Sequence, residues 1–354
     1  MADKRSTTRA ARASSGGPTL QRVAEHAGVS IATASRVLHG GNRKVGEDLR
    51  RRVEASARAL RYVSNAPAQA LARARTSVVG LVVHDVADPY FSALAAGAMR
   101  AARKDGLMVM IAATFRDPEL ELTYVRTLRA QRARAVILAG SGTADPELAR
   151  QLDTEAAAFT EAGGRIVCVS RRSVPAAAQV GLDHRSGAAR AVRHLWDLGH
   201  RDLAVVAGPG ELLTVHDRLA GIRAELAALG GALPDTRVVH TDFTRGGARE
   251  AAREMLLRRP TVSAALVLSD VMAAGVLAAA RDLGRAVPTD LSVVGFDDVP
   301  FAADLCPSLT TVRLPLEAAG GHAVRLVLDQ EPAPLPPPEL VVRDSCGPPP
   351  ESPA

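Results

Sequence analysis

The chain has 354 residues, of which 47% are apolar and 23% charged, and it carries a formal net charge of +6. That length calls for two or three domains with sizeable cores. It contains no run of about 18 apolar residues and no apolar leader, so it is expected to stay in the cytoplasm, away from membranes. Charge is unevenly spread: residues 1–75 hold fifteen Lys/Arg against five Asp/Glu, so the basic character belongs to the N-terminal fifth, as a phosphate-binding module requires. Cys168, Cys306 and Cys346 are far apart and outside any CxxC spacing, and the nine histidines form no HExxH, so neither a disulfide framework nor a metal site is indicated.

Residues 1–17 are rich in Ser, Ala, Arg and Gly without a period and read as a disordered tail. The stretch Thr19 to Leu38, TLQRVAEHAGVSIATASRVL, reads as two helices around a tight turn. Leu20, Val23, Ala24 and Ala27 share one face of the first helix, Gly28 supplies the turn, and Ser30 is placed to cap the second. In the second helix Ala34, Val37 and Leu38 face the first. Ile31, Ala32, Ser35, Arg36 and His39 face outward, a side with a guanidinium and a hydroxyl but no carboxylate. Such a face suits the major groove: Arg36 can donate twice to a guanine edge, Ser35 once to a base or phosphate, and Ile31 or Ala32 can touch a thymine methyl. Val45 to Tyr62 reads as a third helix with Leu49, Val53, Ala57 and Leu60 inward and Glu47 and Asp48 in its first turn. In SNAPAQALARAR, Asn65 can cap and Pro67 can open a fourth helix too short to stand alone, so it is expected to form only when two copies pack together on DNA.

From Ser77 the pattern changes. VVGLVV, LMVMIAA, AVILAG, RIVCVS, LAVVAG, AALVLS and SVVGF read as buried strands, each followed by a segment of helical length, which implies parallel sheets covered on both faces. The units are too many for one sheet, so two lobes are expected. Ligands of parallel α/β sheets bind beyond the carboxyl ends of the strands. That rule selects Asp85–Phe91, Thr114, Ser141 and Gly142, Ser170 and Arg171, Gly208–Gly210, Ser269 and Asp270, and Phe296–Asp298. No GxxxxGK[ST], GxSxG or dinucleotide fingerprint is present, so neither catalysis nor a cofactor is expected.

The helix-turn-helix head, the third helix ending in Tyr62, the Asn65–Leu71 segment and the α/β remainder together resemble the lactose-repressor (LacI/GalR) family of bacterial transcription regulators over about residues 18–342. The resemblance implies an N-terminal all-α helix-turn-helix head with a hinge helix. It also implies an α/β two-lobed, periplasmic-binding-protein-like regulatory domain with parallel sheets. The implied divisions are a head at 18–63, a hinge at 64–76, and an effector-binding and dimerisation domain at 77–346. Within that domain, lobe 1 takes about 77–181 and 314–332 and lobe 2 about 182–313 and 333–346, leaving a Pro-rich tail at 347–354. The expected DNA contacts are Thr19, Ser30, Ile31, Ala32, Thr33, Ser35, Arg36, His39, Tyr62, Asn65, Ala68 and Leu71, with Leu71 as the wedge that family members insert into the minor groove. Arg218 in HDRLAG matches the arginine, and Asp297 in VVGFDD the acidic partner, that the family uses on its effector; Asp270 lies in the matching loop LSDVMAAG. The expected effector set is Asp85, Tyr90, Phe91, Thr114, Ser141, Arg171, Arg218, Asp270 and Asp297, suited to a sugar or related polar metabolite.

Gly46 replaces the usual Ser/Thr cap of the third helix, and Ser269 stands where Asn is often found. The expected partners are a pseudopalindromic operator, a small effector and a second copy of the chain, and the expected action is repression. The alternatives are a two-lobed solute-binding protein without regulatory DNA binding, which leaves the basic head unexplained, and an α/β enzyme, which lacks a catalytic set.

Overall fold

A computed structural model describes residues 18–39, 45–62, 76–142, 145–172 and 174–350, in two units that divide between Thr76 and Ser77. In the first unit, helices α1 (Leu20–Ala27), α2 (Ile31–His39) and α3 (Glu47–Ala59) enclose Val23, Ala24, Ala27, Ala34, Val53 and Ala57, with Val37, Leu38 and Tyr62 packed around them. Helix α1 starts at Thr19, whose Oγ1 accepts from the Arg22 amide (3.4 Å). It stops at Gly28, which takes the left-handed conformation (φ +60°) that residues with a Cβ disfavour. Helix α3 opens at Gly46 with no side-chain cap. Leu49, expected inward, is instead 38% exposed. The inward positions of α3 are Val53, Ser56 and Ala57, and Ser56 earns its place through a 3.0 Å hydrogen bond to His26 Nδ1. The tail 1–17 and the hinge residues Asn65, Ala68 and Leu71 lie outside the described residues.

The second unit begins with β1 (Val78–Val83), α4 (Pro89–Lys104), β2 (Met108–Ala113), α5 (Pro118–Ala130), β3 (Ala135–Ala139), α6 (Pro146–Glu161), β4 (Arg165–Val169) and β5 (Ala178–Val180). These strands form one parallel sheet in the order β2-β1-β3-β4-β5. Each of its three helices starts with Asp-Pro. The carboxylates of Asp88, Asp117 and Asp145 accept from backbone amides of the first turn, and the proline at the first helical position has no amide left to satisfy. Leu107–Ala113 does not form the buried strand that its composition predicts. As the sheet's edge, β2 leaves Met108 57%, Met110 43% and Ile111 40% exposed, because only one side of it has a neighbouring strand.

The chain then crosses to α7 (His184–Asp197), β6 (Leu203–Ala207), α8 (Leu213–Ala228), β7 (Val238–His240), α9 (Arg245–Arg258), β8 (Ala264–Val267), α10 (Asp270–Asp282), β9 (Ser292–Asp297) and β10 (Thr310–Arg313). It returns to the first lobe with α11 (Leu316–Val327), which packs on α4, and crosses a third time to β11 (Glu339–Val341). The second sheet runs β11-β10-β9-β8-β6-β7, parallel except for the β10–β11 pair. Among the described residues no helix is long and apolar enough to cross a membrane.

The α4–α11 contact depends on two glycines. A Cβ on Gly320 would lie 2.0 Å from the Leu94 carbonyl oxygen, and one on Gly97 would lie 1.9 Å from that of Glu317. The helices therefore touch backbone to backbone, which ties α11 to the first lobe although it follows the second in sequence. Gly320→Leu should lower unfolding free energy by about 1–3 kcal/mol or more through overpacking. Denaturant titration measures this, and an unchanged midpoint would mean that the helices separate freely.

Candidate functional site

The head presents its candidate surface on α2. Ser30 Oγ accepts from the Thr33 amide (3.2 Å) and lies 2.8 Å from Thr33 Oγ1, so these two hydroxyls start the helix. Ala34 is fully buried while Ile31 is 50% exposed, and Ala32 and Arg36 are exposed beside the half-buried Thr33 and Ser35. Arg36 forms no ion pair among the described residues. Arg52, by contrast, is committed within the head: its Nη2 donates to the Ala27 carbonyl at the end of α1 (2.6 Å). Thr19 is exposed, and Tyr62 is half-buried against the head's core. The result is one convex helix face with an uncommitted guanidinium, small apolar groups and no carboxylate, a shape and charge that a duplex groove accepts.

In the second unit the strand ends of both sheets face a common cleft. Arg218 on α8 and Asp297 at the end of β9 meet there, Nη2 to Oδ1 at 2.9 Å, both at least nine-tenths buried. The remaining guanidinium nitrogens are also engaged: Nε donates to His184 Nδ1 (3.3 Å) and Nη1 to the Leu268 carbonyl. The guanidinium carbon stands 3.9 Å from the centroid of the Phe296 ring. Burial raises the Asp297 carboxyl well above its ordinary range, and Arg218 opposes that shift. Asp297 (φ +112°) and Asp298 (φ +54°) hold left-handed backbone conformations that cost energy in non-glycine residues and turn the Asp297 side chain into the cleft.

The first lobe supplies the other wall. Asp88 uses one oxygen to cap α4, accepting from the Tyr90 amide (3.0 Å), and burial raises its pKa. The Tyr90 hydroxyl lies 3.3 Å from Ser170 Oγ, and burial pushes its pKa up to about 12. Phe91 packs edge-on against Tyr90 and against His84, at centroid separations of 5.0 and 5.7 Å. Burial first, then the nearby Arg172 and Arg116, lower His84 to about 3. It is therefore neutral, with Nε2 donating to the Ser141 carbonyl (3.3 Å) and Nδ1 accepting from Thr114 Oγ1 (3.3 Å).

Of the nine effector residues expected from the sequence, Tyr90, Phe91, Ser141, Arg218 and Asp297 line the inter-lobe compartment together. The other four do different work. Asp85 caps its own loop through the Ala87 amide (2.9 Å), and Thr114 is buried behind His84. Arg171 lies outside the compartment, half exposed, and pairs across the lobes with Asp217 (2.9 Å). Asp270 corrects the expectation most clearly. It is fully buried, and its two oxygens accept from the Thr311 hydroxyl and the Val299 amide, so it braces the end of β9 and does not reach the cleft. Sequence reasoning missed Arg116, Thr214 and Phe243, and named Asp88 only within a loop. The strand-end rule points to Phe243 once β7 is known, but at three residues, VVH, β7 is too short to read from a pattern. Among the described residues no group of three or more His, Cys, Asp or Glu is placed to hold a metal ion.

The two walls are already joined by polar contacts. Ser141 Oγ accepts from the Thr214 amide (3.0 Å), and the Leu213 amide donates to the Gly142 carbonyl (3.1 Å). The arrangement can bind a small polar molecule between groups carried by different lobes and thereby report their separation.

Burial raises Asp270 from its ordinary 3.8 to about 7. The folded protein therefore keeps a proton that the unfolded chain releases near pH 4. This group's contribution to stability falls as pH rises from about 4 to about 7 and is level above that. Asp270→Asn keeps an acceptor for Val299 and a partner for Thr311, so it should flatten the decline in melting temperature across that window. A variant curve parallel to wild type would remove Asp270 as its source.

Residues 19–65 match the family model described as bacterial regulatory proteins, lacI family, and residues 192–346 match the periplasmic binding protein-like domain. The chain is 34% identical over 318 residues to the HTH-type transcriptional regulator CelR of Thermobifida fusca, covering 88% of this chain and 92% of that one. It is 32% identical over 321 residues to the HTH-type transcriptional regulator GalR of Escherichia coli (strain K12), covering 89% and 91%. Among solved structures it resembles a CelR–cellobiose complex, with a TM-score of 0.68, 33% identity and coverage of 93% and 99%. It also resembles the lac repressor dimer bound to operator and the anti-inducer ONPF, with a TM-score of 0.79, 28% identity and the same coverage. With a helix-turn-helix head followed by a two-lobed α/β unit that closes on a buried Arg–Asp pair, and with this likeness along nearly its whole length, the chain belongs to the LacI family of DNA-binding transcriptional regulators.

Proposed function

We propose that the protein is a homodimeric repressor whose α2 helices read two half-sites of an operator and whose inter-lobe cleft takes a sugar-like effector. Arg36 and Ser35 supply the base-edge donors, Ile31 and Ala32 the apolar contacts, and Leu71, outside the described residues, the minor-groove wedge. The observation that carries the effector reading is the Arg218–Asp297 pair, sealed between the lobes opposite Asp88 and Tyr90 and flanked by Phe91 and Phe243. Carboxylates that accept, a guanidinium that donates and two aromatic faces are what a polyhydroxylated ring requires. CelR in complex with cellobiose, named above, agrees with a carbohydrate. A ligand that favours one lobe separation over the other by a few kcal/mol is enough to switch operator occupancy. No catalytic step is assigned to any of these groups.

The apolar edge of the first lobe supports the dimer. Met108, Met110 and Ile111 on β2 and Met99 on the adjacent α4 are all at least 40% exposed, apolar surface at the open edge of the sheet that a second copy can cover. Met110→Lys is expected to shift the sedimentation profile toward monomer and to weaken operator binding; an unchanged dimer would move the interface elsewhere. The reading as a whole is tested by a gel shift on the adjacent promoter with sugars, polyols and nucleobases added in turn. Retarded DNA released by one of them supports it. Failure to retard that DNA, or retardation that no polar metabolite alters, would count against the operator and effector halves respectively.

A further inference from the structure

The second unit is acidic overall, with 29 Lys/Arg against 33 Asp/Glu over residues 76–354, yet one end of its first sheet is basic. The segment Arg126–Arg134, RTLRAQRAR, holds four arginines and no acid. It closes α5 and leads into β3, which starts at Ala135. Arg103 and Lys104, both exposed, end α4 just before β2, and Arg165 opens β4. Backbone hydrogen bonds join these strand starts. The Ser77 carbonyl accepts from the Met108 amide (2.9 Å), the Val78 carbonyl from the Arg134 amide (2.8 Å), and the Arg134 carbonyl from the Arg165 amide (3.3 Å). Along the order β2-β1-β3-β4, with strands about 4.8 Å apart, the cations therefore stand in a row about 14 Å long.

Part of this charge is spent inside the lobe. Arg126 and Arg129 share the Glu155 carboxylate (2.7 and 3.5 Å), and Arg165 pairs with Asp329. Cations in a last helical turn also answer the helix dipole, which accounts for Arg103 and Lys104. Neither reason covers Arg132 and Arg134, which lie beyond the end of α5. Arg132 is exposed on a left-handed backbone (φ +54°). Arg134 forms no ion pair among the described residues, and its buried Nε has no hydrogen-bond partner. The second sheet provides the contrast. At its strand starts Arg237 pairs with Asp202 (2.7 Å), Arg285 donates to the Val262 and Asp290 carbonyls, and Arg201 donates to those of Trp196 and His200. The sheet that receives the chain from the head, at Ser77, is the one that keeps Arg103, Lys104 and Arg134 outside any ion pair among the described residues.

We propose that this row is a second DNA contact, which meets the phosphate backbone of the duplex held by the head and reads no base. Phosphates require only fixed positive charge at suitable intervals, and one strand offers about one per 3.4 Å of axis, so a row about 14 Å long faces about four. Alone, such a contact is weak and independent of sequence. The tether makes it count. Tyr62 and Ser77 are fifteen residues apart, so the row stays within about 50 Å of the head whatever path the linker takes. Once the head is seated, the neighbouring phosphates are presented to the row at an effective concentration on the order of millimolar. That tether is why duplex phosphate, and not a free acidic partner, is the occupant.

The test uses the full chain and a fluorescent random-sequence duplex, with affinity followed by anisotropy between about 50 and 200 mM salt. Arg132→Gln/Arg134→Gln should make the slope of log affinity against log salt shallower by about 1.8, the equivalent of two phosphate contacts, so that its deficit against wild type shrinks about tenfold across that range. Arg132→Lys/Arg134→Lys should keep the wild-type slope, because phosphate accepts from a point charge, whereas a guanidinium needed by the fold would not be replaced. Arg253→Gln/Arg258→Gln removes two exposed charges from α9 in the second lobe and should leave the slope unchanged. If the first glutamine pair lowers the melting temperature, Arg103→Gln/Lys104→Gln gives the same reading from exposed positions. A wild-type slope in both glutamine pairs of the row would overturn the proposal and leave a solvated surface or a site for an acidic protein. An equal loss of slope in the α9 pair, or a loss that lysine does not restore, would overturn it as well, since net charge or the fold would then be the cause.

Discussion

Arg218→Ala should abolish the response to effector while leaving operator binding measurable at low temperature, and it should lower the unfolding free energy by about 3–5 kcal/mol. The stability loss follows from what is left behind. Asp297, at least nine-tenths buried, loses the charge that opposes its desolvation, while the Leu268 carbonyl and His184 Nδ1 lose their donor. The unpaired carboxyl will answer by holding its proton to still higher pH, so the variant should be weakest in alkaline buffer and partly recover in mild acid. His184 is a poor replacement cation, because burial, the main cause of its depressed pKa, does not depend on Arg218. Asp297→Asn separates structure from recognition: it keeps an acceptor for Arg218 Nη2 and removes the carboxylate. Melting temperature and gel shifts with and without effector are the measurements. A normal effector response in both variants would show that the ligand binds elsewhere.

Arg36→Ala should reduce affinity for the operator by about 1–3 kcal/mol while barely changing affinity for random DNA. The expectation depends on commitment. Arg36 is an exposed side chain of α2 without an ion pair among the described residues, so its hydrogen-bond capacity is free for a base edge. Arg52 spends its own on the end of α1. Removing Arg36 deletes direct contacts and leaves the fold intact, since the α2 residues packed in the head's core are Ala34, Val37 and Leu38. Titrations across a salt series distinguish the roles. If operator and random DNA lose affinity equally, Arg36 contacts phosphate and not a base.

The cleft shows which parts of a site a linear pattern can carry. Arg218 and Asp297 were legible because each sits in a short local motif, and the strand-end rule also found Tyr90, Phe91 and Ser141. Asp270 was misread because sequence places it one residue after a strand, as it places true lining residues. Only the packing of Thr311 and Val299 around it reveals that both oxygens are occupied. Arg116 and Phe243 went unnoticed for the opposite reason. They come from loops 127 positions apart, and their shared role appears only when two sheets bring those loops to 5.3 Å. Likewise LMVMIAA has the composition of a buried strand, but exposure depends on whether a neighbour lies beyond it, which is a property of sheet order.

Sequence by itself determined the helix-turn-helix with Gly28 at its turn, the alternation that compels parallel sheets, and the concentration of positive charge in the head. These are local consequences of dihedral preference, hydrophobic period and residue count. The tertiary structure decided which polar groups face ligand and which are spent on the scaffold. It also supplied the contact that holds α11 on the first lobe, backbone to backbone at Gly97 and Gly320. Those outcomes depend on distances between segments remote in the chain, and free volume and hydrogen-bond satisfaction have no value until the segments have met.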